Sequence, residues 1–473
     1  MTLRLSSLIA PFGLALLLAA CASAPLRAPV AVDLPEVWRA PLPHDGSMAA
    51  LTDWWKAFPD PMLVKLIERA QAGNPNLQVA AARHRQARAL VKQARAGLLP
   101  QLGVSATSSR GKNLNSVPGV SIQSDAQFNA SWEIDLFGGQ RGAADEQAAQ
   151  AVAAQHDWHA ARVTLAADVA AAFVNLRLAQ AREEVAELDG LLAAQLAAWG
   201  RQQQAVGLMN ASDAALLQTD ASLAASRRSV ERAEAQVALQ ELALLLGVPA
   251  GPLAAELQAP ALPSVWASPR RVLPSVPTFT VHTLPAQLLA QRPDVAASHQ
   301  RWLAALAPQR SADAQRDPQL SLGALAGETR LRVGGQSSVS SLLFDGGARR
   351  AQSQTALAES DEAAAALQGK WQTAVAEVEE SLERMAATRD RQREAESVAH
   401  EWQGIAQRAA LQAQVGLHSG PQRVVSQRNA LTAHDDLLTA QADQAQAWFR
   451  LYRSLGGGWN AEPNPTDQLA AQP

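Results

Sequence analysis

In Gln127-Phe128-Asn129-Ala130-Ser131-Trp132-Glu133-Ile134-Asp135-Leu136 every even position is apolar and every odd one polar. A period of two puts successive side chains on opposite faces of a strand, and ten residues is the length of one that crosses a bilayer obliquely. Leu102, Val104 and Ala106 against Gln101, Ser105 and Thr107 give a weaker partner strand, with the polar stretch 110–119 as its loop. A half-buried soluble hairpin has the same pattern; an export signal and a second copy, described below, favour the membrane strand.

On either side the period changes. From residue 61 to 96, Leu63, Leu66, Ile67 and Ala70, then Leu77, Ala80, Ala81 and His84, fall on helix faces, with a kink or break expected at Pro75. From 142 to 204 there is no proline and no strand-like run. Leu165, Val169, Ala172, Leu176 and Ala179 alternate spacings of four and three, as do Leu178, Ala181, Val185, Leu188 and Leu192, and such a helix is about 90 Å long. Val206-Gly207-Leu208 turns the chain, residues 211–246 run back, and Gly247-Val248-Pro249 stops them. A proline-rich linker follows to Pro285.

The order then repeats. Asn74-Pro75 is answered by Arg292-Pro293 and Pro100-Gln101-Leu102 by Pro318-Gln319-Leu320, both offset by 218 residues. Leu136-Phe137-Gly138-Gly139 is answered by Leu343-Phe344-Asp345-Gly346-Gly347, and Val206-Gly207-Leu208 and Leu246-Gly247 by Val415-Gly416-Leu417 and Leu455-Gly456, the last two at an offset of 209. Five matches in order mark two copies of one structural unit. In the second long helix Leu357, Ala364, Trp371, Val378 and Met385 share one heptad position, with Val375 and Leu382 beside them.

Composition narrows the packing. Of 473 residues 48% are apolar, with only 8 Phe, 12 Trp and 1 Tyr, so thin alanine seams between close helices replace a thick core. A net charge of −3, with scattered arginine pairs, excludes a nucleic-acid footprint. Arg4, the apolar stretch 8–20 and small residues after it form an export signal. The single cysteine ends it in Leu18-Ala19-Ala20-Cys21, similar to a bacterial lipobox, whose thiol is acylated; cleavage after Ala22-Ser23-Ala24 is the alternative. No later apolar run reaches the length of a spanning helix, so a membrane crossing requires strands. Two hairpins give four strands, whereas the smallest barrel has eight, so copies must associate; eight and twelve strands are both open at this point.

Trp54-Trp55 with Phe58-Pro59-Asp60-Pro61, Gly73-Asn74-Pro75-Asn76-Leu77, Ser131-Trp132-Glu133-Ile134-Asp135-Leu136-Phe137-Gly138, Gln291-Arg292-Pro293-Asp294-Val295, Phe344-Asp345-Gly346-Gly347 and Leu451-Tyr452-Arg453-Ser454-Leu455-Gly456-Gly457-Gly458-Trp459 resemble the signatures of TolC-type outer membrane factors. The resemblance is greatest to their NodT-like efflux lipoprotein branch. It implies a mixed α/β membrane protein, mostly α, built from a duplicated helix-strand-strand-helix-helix unit. Three copies would form a 12-stranded β-barrel continued by a periplasmic α-helical coiled-coil barrel. It also implies sorting of the Cys21 lipoprotein to the outer membrane, docking of a periplasmic adaptor (membrane fusion) protein at the Gly207 and Gly416 turns, and pairing with an inner-membrane resistance-nodulation-division transporter. The expected division is a signal peptide (1–20), an N-terminal equatorial segment (21–60), a first repeat (61–248, hairpin near 100–137), a linker and equatorial segment (249–284), a second repeat (285–459, hairpin near 318–344) and a tail (460–473).

Two departures stand out. The second hairpin is about ten residues shorter, with Arg316-Asp317 where an aromatic pair is usual. At the gate, the position of a constricting aspartate in pump-linked relatives holds Val425, and a nearby leucine position holds Pro421. An aperture closed by apolar packing is therefore expected, with Asp213 as the remaining candidate charge. His156 and His159 lie i, i+3, but a solvated face accounts for them, and Gly456-Gly457-Gly458 lacks a phosphate-cradle spacing. No cofactor, metal or catalytic group is expected. The expected function is a passive efflux conduit; an outer conduit for type I protein secretion and a periplasmic coiled-coil tether are the alternatives.

Overall fold

The structure is a computed structural model, and it describes residues 60–112, 120–257, 273, 292–327, 332–340 and 344–457. The elements in chain order are α1 (Pro61–Gly73), α2 (Pro75–Ala96), β1 (Gln101–Lys112), β2 (Val120–Ile134), α3 (Gly139–Ala205), α4 (Ala211–Leu246), α5 (Ala250–Glu256), α6 (Pro293–Ala314), β3 (Gln319–Gly327), β4 (Arg332–Ser340), α7 (Ala348–Gln414) and α8 (Gly420–Ser454). They divide into two compact units. Among the described residues, one holds those of 83–154 and 297–369, including the four strands; the other holds those of 60–82, 155–296 and 370–457.

In the strand-bearing unit the strands form one antiparallel sheet in the order β1-β2-β3-β4. β1 pairs with β2 from Gln101↔Ser131 to Lys112↔Val120, β2 with β3 from Ile134↔Leu320 to Gln127↔Gly327, and β3 with β4 from Gln319↔Ser340 to Gly327↔Arg332. β3 and β4 have 9 residues each against 12 and 15 in the first hairpin, as the shorter second repeat predicts. Helices meet closely beneath the sheet. A Cβ at Gly142 of α3 would stand 2.6 Å from Ser311 Oγ of α6, and that hydroxyl donates to the Gly139 carbonyl at 2.8 Å.

The helical unit owns the larger core. Asp60 caps α1, its carboxylate accepting from Met62 N at 2.9 Å, and Pro61 opens the first turn. The predicted face of Leu63, Leu66, Ile67 and Ala70 is buried against Leu165, Phe173 and Leu176 of α3 and Leu242 and Leu246 of α4 within one cluster. The break at Pro75 is made by Asn74: its Oδ1 accepts from Leu77 N at 3.0 Å and its Nδ2 donates to the Leu245 carbonyl at 2.8 Å. The residue before a proline is pushed from the helical region, and Asn74 is extended accordingly.

Two expectations change. The linker opens with a helix, α5, which buries Leu253 and is followed by buried Leu257; residues 258–272 and 274–291 lie outside the described residues. On α7 the heptad stripe is buried at Val378 and Met385 but Leu357 is exposed, with Ala356 and Ser360 buried instead. A helix of 3.6 residues per turn drifts from a strict repeat of seven, and Leu357 also sits in the other compact unit.

Arg292 joins three elements of the helical unit. Its side chain is 5% exposed and donates to Asp294 at 2.8 Å, Glu377 at 2.6 Å and the Ser454 carbonyl at 2.8 Å, while Lys370 approaches Asp294 at 3.0 Å. Burial alone would raise the Asp294 carboxyl, but hydrogen bonds and charge from Arg292 and Lys370 outweigh it and hold the group at about 2. A carboxylate lowered on folding contributes stability that is complete above its ordinary range and lost as pH falls through its folded value. Asp294→Asn should therefore lower stability at neutral pH by about 2 kcal/mol. It should also flatten the acid limb between about pH 4 and 2 in thermal unfolding of the purified protein. An unchanged acid limb would refute the assignment.

Candidate functional site: a two-faced sheet and a polar helix seam

The register sorts the sheet into two chemically different faces. Leu102, Val104, Phe128, Ala130, Trp132, Leu320, Leu322, Ala324 and Val339 occupy one, paired as Val104↔Phe128, Trp132↔Leu322 and Leu320↔Val339. Gln101, Ser105, Gln127, Asn129, Ser131, Glu133, Ser321, Gln336 and Ser338 occupy the other. Phe128, Val104, Leu102 and Val339 are each at least 70% exposed, so the described residues leave most of the apolar face uncovered there. A sheet with one bare apolar side and one hydroxyl- and amide-bearing side is a wall between hydrocarbon and water.

In the helical unit, the turns at Gly207 and Gly416 are near copies of each other. Gly207 has φ +76° and Gly416 φ +77°, the left-handed conformation that glycine takes without strain. Leu208 N donates to the Gln203 carbonyl at 2.8 Å and Leu417 N to that of Gln412 at 2.9 Å. The flanking Val206, Leu208, Val415 and Leu417 are exposed apolar side chains at both tips. Just beyond, Asn210 caps α4 and Ser419 caps α8, the latter in a reciprocal capping box with Gln422.

The sequence-predicted aperture residues lie beside these turns in different roles. Asp213 is exposed in the first turn of α4, where its carboxylate accepts from Asn210 Nδ2 at 2.8 Å, so it serves the helix start. Pro421 occupies the first turn of α8. Val425 is half-exposed one turn further along. Cys21 lies outside the described residues. His156 and His159 sit on α3, the latter 4.8 Å from the ring of Trp158; among the described residues no group of three metal-ligating side chains forms.

What sequence reasoning missed is a polar seam. On α3, Asp168, Asn175, Arg182 and Asp189 are each seven residues apart, and each meets α8. Asp168 faces Arg453 at 3.9 Å, Asn175 accepts from Gln446 at 2.6 Å, Arg182 donates to Asp435 at 3.1 Å and Thr439 at 2.9 Å, and Asp189 accepts from Arg428 at 2.6 Å. Arg428 also binds Asp220 of α4, so one guanidinium ties three helices near the tips. Hydrogen bonds to Asp189, opposed by burial and reinforced by Asp220, raise its pKa above the ordinary arginine value and hold it charged. A search for apolar heptads passes over this ladder, although its own period of seven is legible.

The sequence model of the outer membrane efflux protein family matches residues 66–248 and 284–457, most of the chain. The chain belongs to the outer membrane efflux protein family. It is 31% identical to the pyoverdine export outer membrane protein OpmQ of Pseudomonas putida, over 98% of this chain and 100% of that one. It is 27% identical to the outer membrane protein OprJ of Pseudomonas aeruginosa, over 94% and 95%. Among solved structures, the outer-membrane channel OprN matches at 26% identity and a TM-score of 0.76, covering 93% of this chain and 100% of that one. The open-state MtrE channel of Neisseria gonorrhoeae has the same fold, at 22% identity and a TM-score of 0.78, covering 93% and 98%. This family member is an outer membrane channel subunit of an efflux pump, a passive conduit and not an enzyme.

Arg428 is the test of the seam. Removing one partner of a partly buried ion cluster leaves two carboxylates facing each other, a cost on the order of 1–2 kcal/mol. Arg428→Ala should speed proteolysis at the Gly207 and Gly416 turns of the purified channel and raise its single-channel conductance in planar bilayers. Wild-type behaviour in both assays would remove Arg428 from any gating role.

Proposed function

We propose that three copies of this chain form a sealed conduit anchored in the outer membrane by acylated Cys21, with the helical hairpins in the periplasm. The carrying observation is the open sheet: among the described residues β1 and β4 are its edges, and Leu102, Val104, Phe128 and Val339 on one face are exposed apolar side chains. Unpaired backbone groups in hydrocarbon cost several kcal/mol each, so the edges need partners. Because the four strands alternate in direction, β4 of one copy runs antiparallel to β1 of the next, and three copies give twelve strands with room for a lumen.

The helices support the same association. On α4, Leu216, Leu223, Val230, Val237 and Leu244 recur every seven residues and each is more than half exposed. The neighbouring face of α4 is taken by α3, through Arg228–Glu187 at 3.0 Å and Arg232–Glu183 at 2.8 Å. α7 carries exposed Val398 and Ile405, again seven apart, one and two heptads beyond Arg391, which links α7 to Asp443 of α8. An apolar heptad stripe in water needs a helical partner, and a second copy supplies one.

In this reading residues 1–20 are a lipoprotein signal peptide and the repeats 61–248 and 285–459 share the wall. The Val206-Leu208 and Val415-Leu417 tips take a periplasmic adaptor. An inner-membrane transporter of the resistance-nodulation-division class supplies the energy, and cargo diffuses once the tips part. The name of the OpmQ relative makes pyoverdine a cargo to test first. Native mass spectrometry of detergent-extracted protein should show three copies, each carrying acyl mass, with Cys21→Ser losing the acyl mass. Val230→Glu should shift the population toward single copies. A monomeric wild type would overturn the proposal.

A further inference from the structure

Between Arg83 and Ala96, α2 carries five cations and no acid. Arg85, Arg88, Lys92 and Arg95 are all exposed, and among the described residues none of these four forms an ion pair. Each follows by one residue a half-buried position, His84, Ala87, Val91 and Ala94 in turn. One step along a helix is a rotation of about 100°, so the four cations form a single stripe beside the half-buried ridge, about 15 Å long. The ridge faces α3, the neighbour of α2 in this unit: Gln140 Oε1 lies 3.1 Å from a Cβ placed at Gly97, just past the end of α2.

Handedness decides which side of the wall the stripe occupies. A Cβ at Gly323 would lie 3.8 Å from both the Ala130 and the Gln336 carbonyl oxygens. Gly323 is registered opposite Ser131 and Gln336, so it exchanges backbone hydrogen bonds with Gln336 of β4 and not with Ser131 of β2. Its position is on the polar face, two residues after Ser321. In a strand of L-residues rising from the helices, the backbone N–H and C=O of a residue point to the right of a viewer who faces its side chain. Seen from the polar face, β1 to β4 therefore run left to right, and α2, which feeds β1, stands left of α3, which leaves β2. A right-handed helix climbing toward the strands turns counterclockwise when viewed from them, so one step from the ridge facing α3 turns away from the polar face. The stripe lies on the side of the sheet's apolar face.

The Trp132 indole, on that apolar face, donates to the Leu98 carbonyl at 3.0 Å, the arrangement of an interfacial tryptophan with an apolar ring and a satisfied polar edge. Arg95 and Lys92 precede Leu98 by three and six residues, within about 10 Å of it, and their long stems reach the headgroup layer. Arg88 and Arg85 follow within a further Debye length of about 8–10 Å. We propose that Arg85, Arg88, Lys92 and Arg95 bind the phosphates of anionic phospholipids in the periplasmic leaflet, giving each copy a headgroup clamp beneath its sheet. Guanidinium groups take phosphate oxygens through paired N–H donors, and a basic stripe without acids, next to an apolar face, gathers anionic headgroups. The proposal rests on the reading of the sheet's apolar face as lipid-facing. Phospholipid is the occupant because the stripe lies on the helix-bearing, periplasmic side of the bilayer.

The test uses the full-length wild-type channel, the triple variant R88Q/K92Q/R95Q, and R83Q, which precedes His84 and so alters the other side of the ridge. Each is titrated in detergent with phosphatidylglycerol or phosphatidylethanolamine and read by native mass spectrometry. Wild type and R83Q should retain phosphatidylglycerol about fivefold better than phosphatidylethanolamine, and the triple variant should hold both about equally. Should the triple variant not fold, raised salt must abolish the wild-type preference, because exposed charges are screened. A triple variant that keeps the preference, an R83Q channel that loses it, or a preference indifferent to salt would overturn the proposal. So would a triple variant that loses copies while retaining lipid, which would assign the stripe to a neighbouring copy. Phe128→Cys separates the two levels of inference. If a water-soluble maleimide labels it in intact bilayers, the lipid-facing reading fails and the stripe assignment falls with it; if it is protected and phosphatidylglycerol shows no preference, only the stripe assignment fails.

Discussion

The hydrogen-bonding demand of backbone in hydrocarbon governs this molecule. Helices satisfy it within one segment, but the window of α3 apolar enough to do so is mostly buried in protein, whereas the exposed apolar face belongs to strands, and strands satisfy it only in pairs. Four of them in the order β1-β2-β3-β4 leave two edges whose partners lie outside the chain. Every other large feature is compatible with that debt being settled by identical neighbours: alternating strand directions, an exposed apolar face on the sheet, and an exposed heptad stripe on α4.

The helical unit divides its interactions by kind. Around Phe173, Leu242 and Phe449 the packing is apolar and continuous, and it reaches the buried Arg292 cluster, where a full set of hydrogen bonds compensates a desolvated charge. Along the α3–α8 line toward the Gly207 and Gly416 turns, hydrogen bonds and ion pairs recur every seven residues. Polar rungs gain little net free energy over water, so a seam made of them separates at lower cost than an apolar one and regains its partners from solvent.

Duplication built the two halves, and their differences carry the specialisation. The Val-Gly-Leu turns have kept the same backbone conformation and the same exposed apolar pairs. The hairpins have diverged in length, so that only the first extends past the shared wall. Val425, beside the buried Val424, carries no charge, and the nearest strong electrostatic feature on α8 is the intramolecular Arg428 cluster.

The strands, long helices, break at Asn74-Pro75 and both turns were legible in the amino-acid order because their causes are local: period-two alternation, heptads, a proline that removes a donor, and glycines that tolerate positive φ. Tertiary structure alone decided which helix faces meet. Asp189, Asp220 and Arg428 are more than two hundred residues apart at their extremes and converge only when α3, α4 and α8 pack. The same holds for Arg292 meeting Glu377 and Ser454, and for the drift that exposes Leu357. Side-chain periodicity states that a face will be covered; the partner that covers it is chosen by the three-dimensional path of the chain, through long-range contacts that periodicity does not encode.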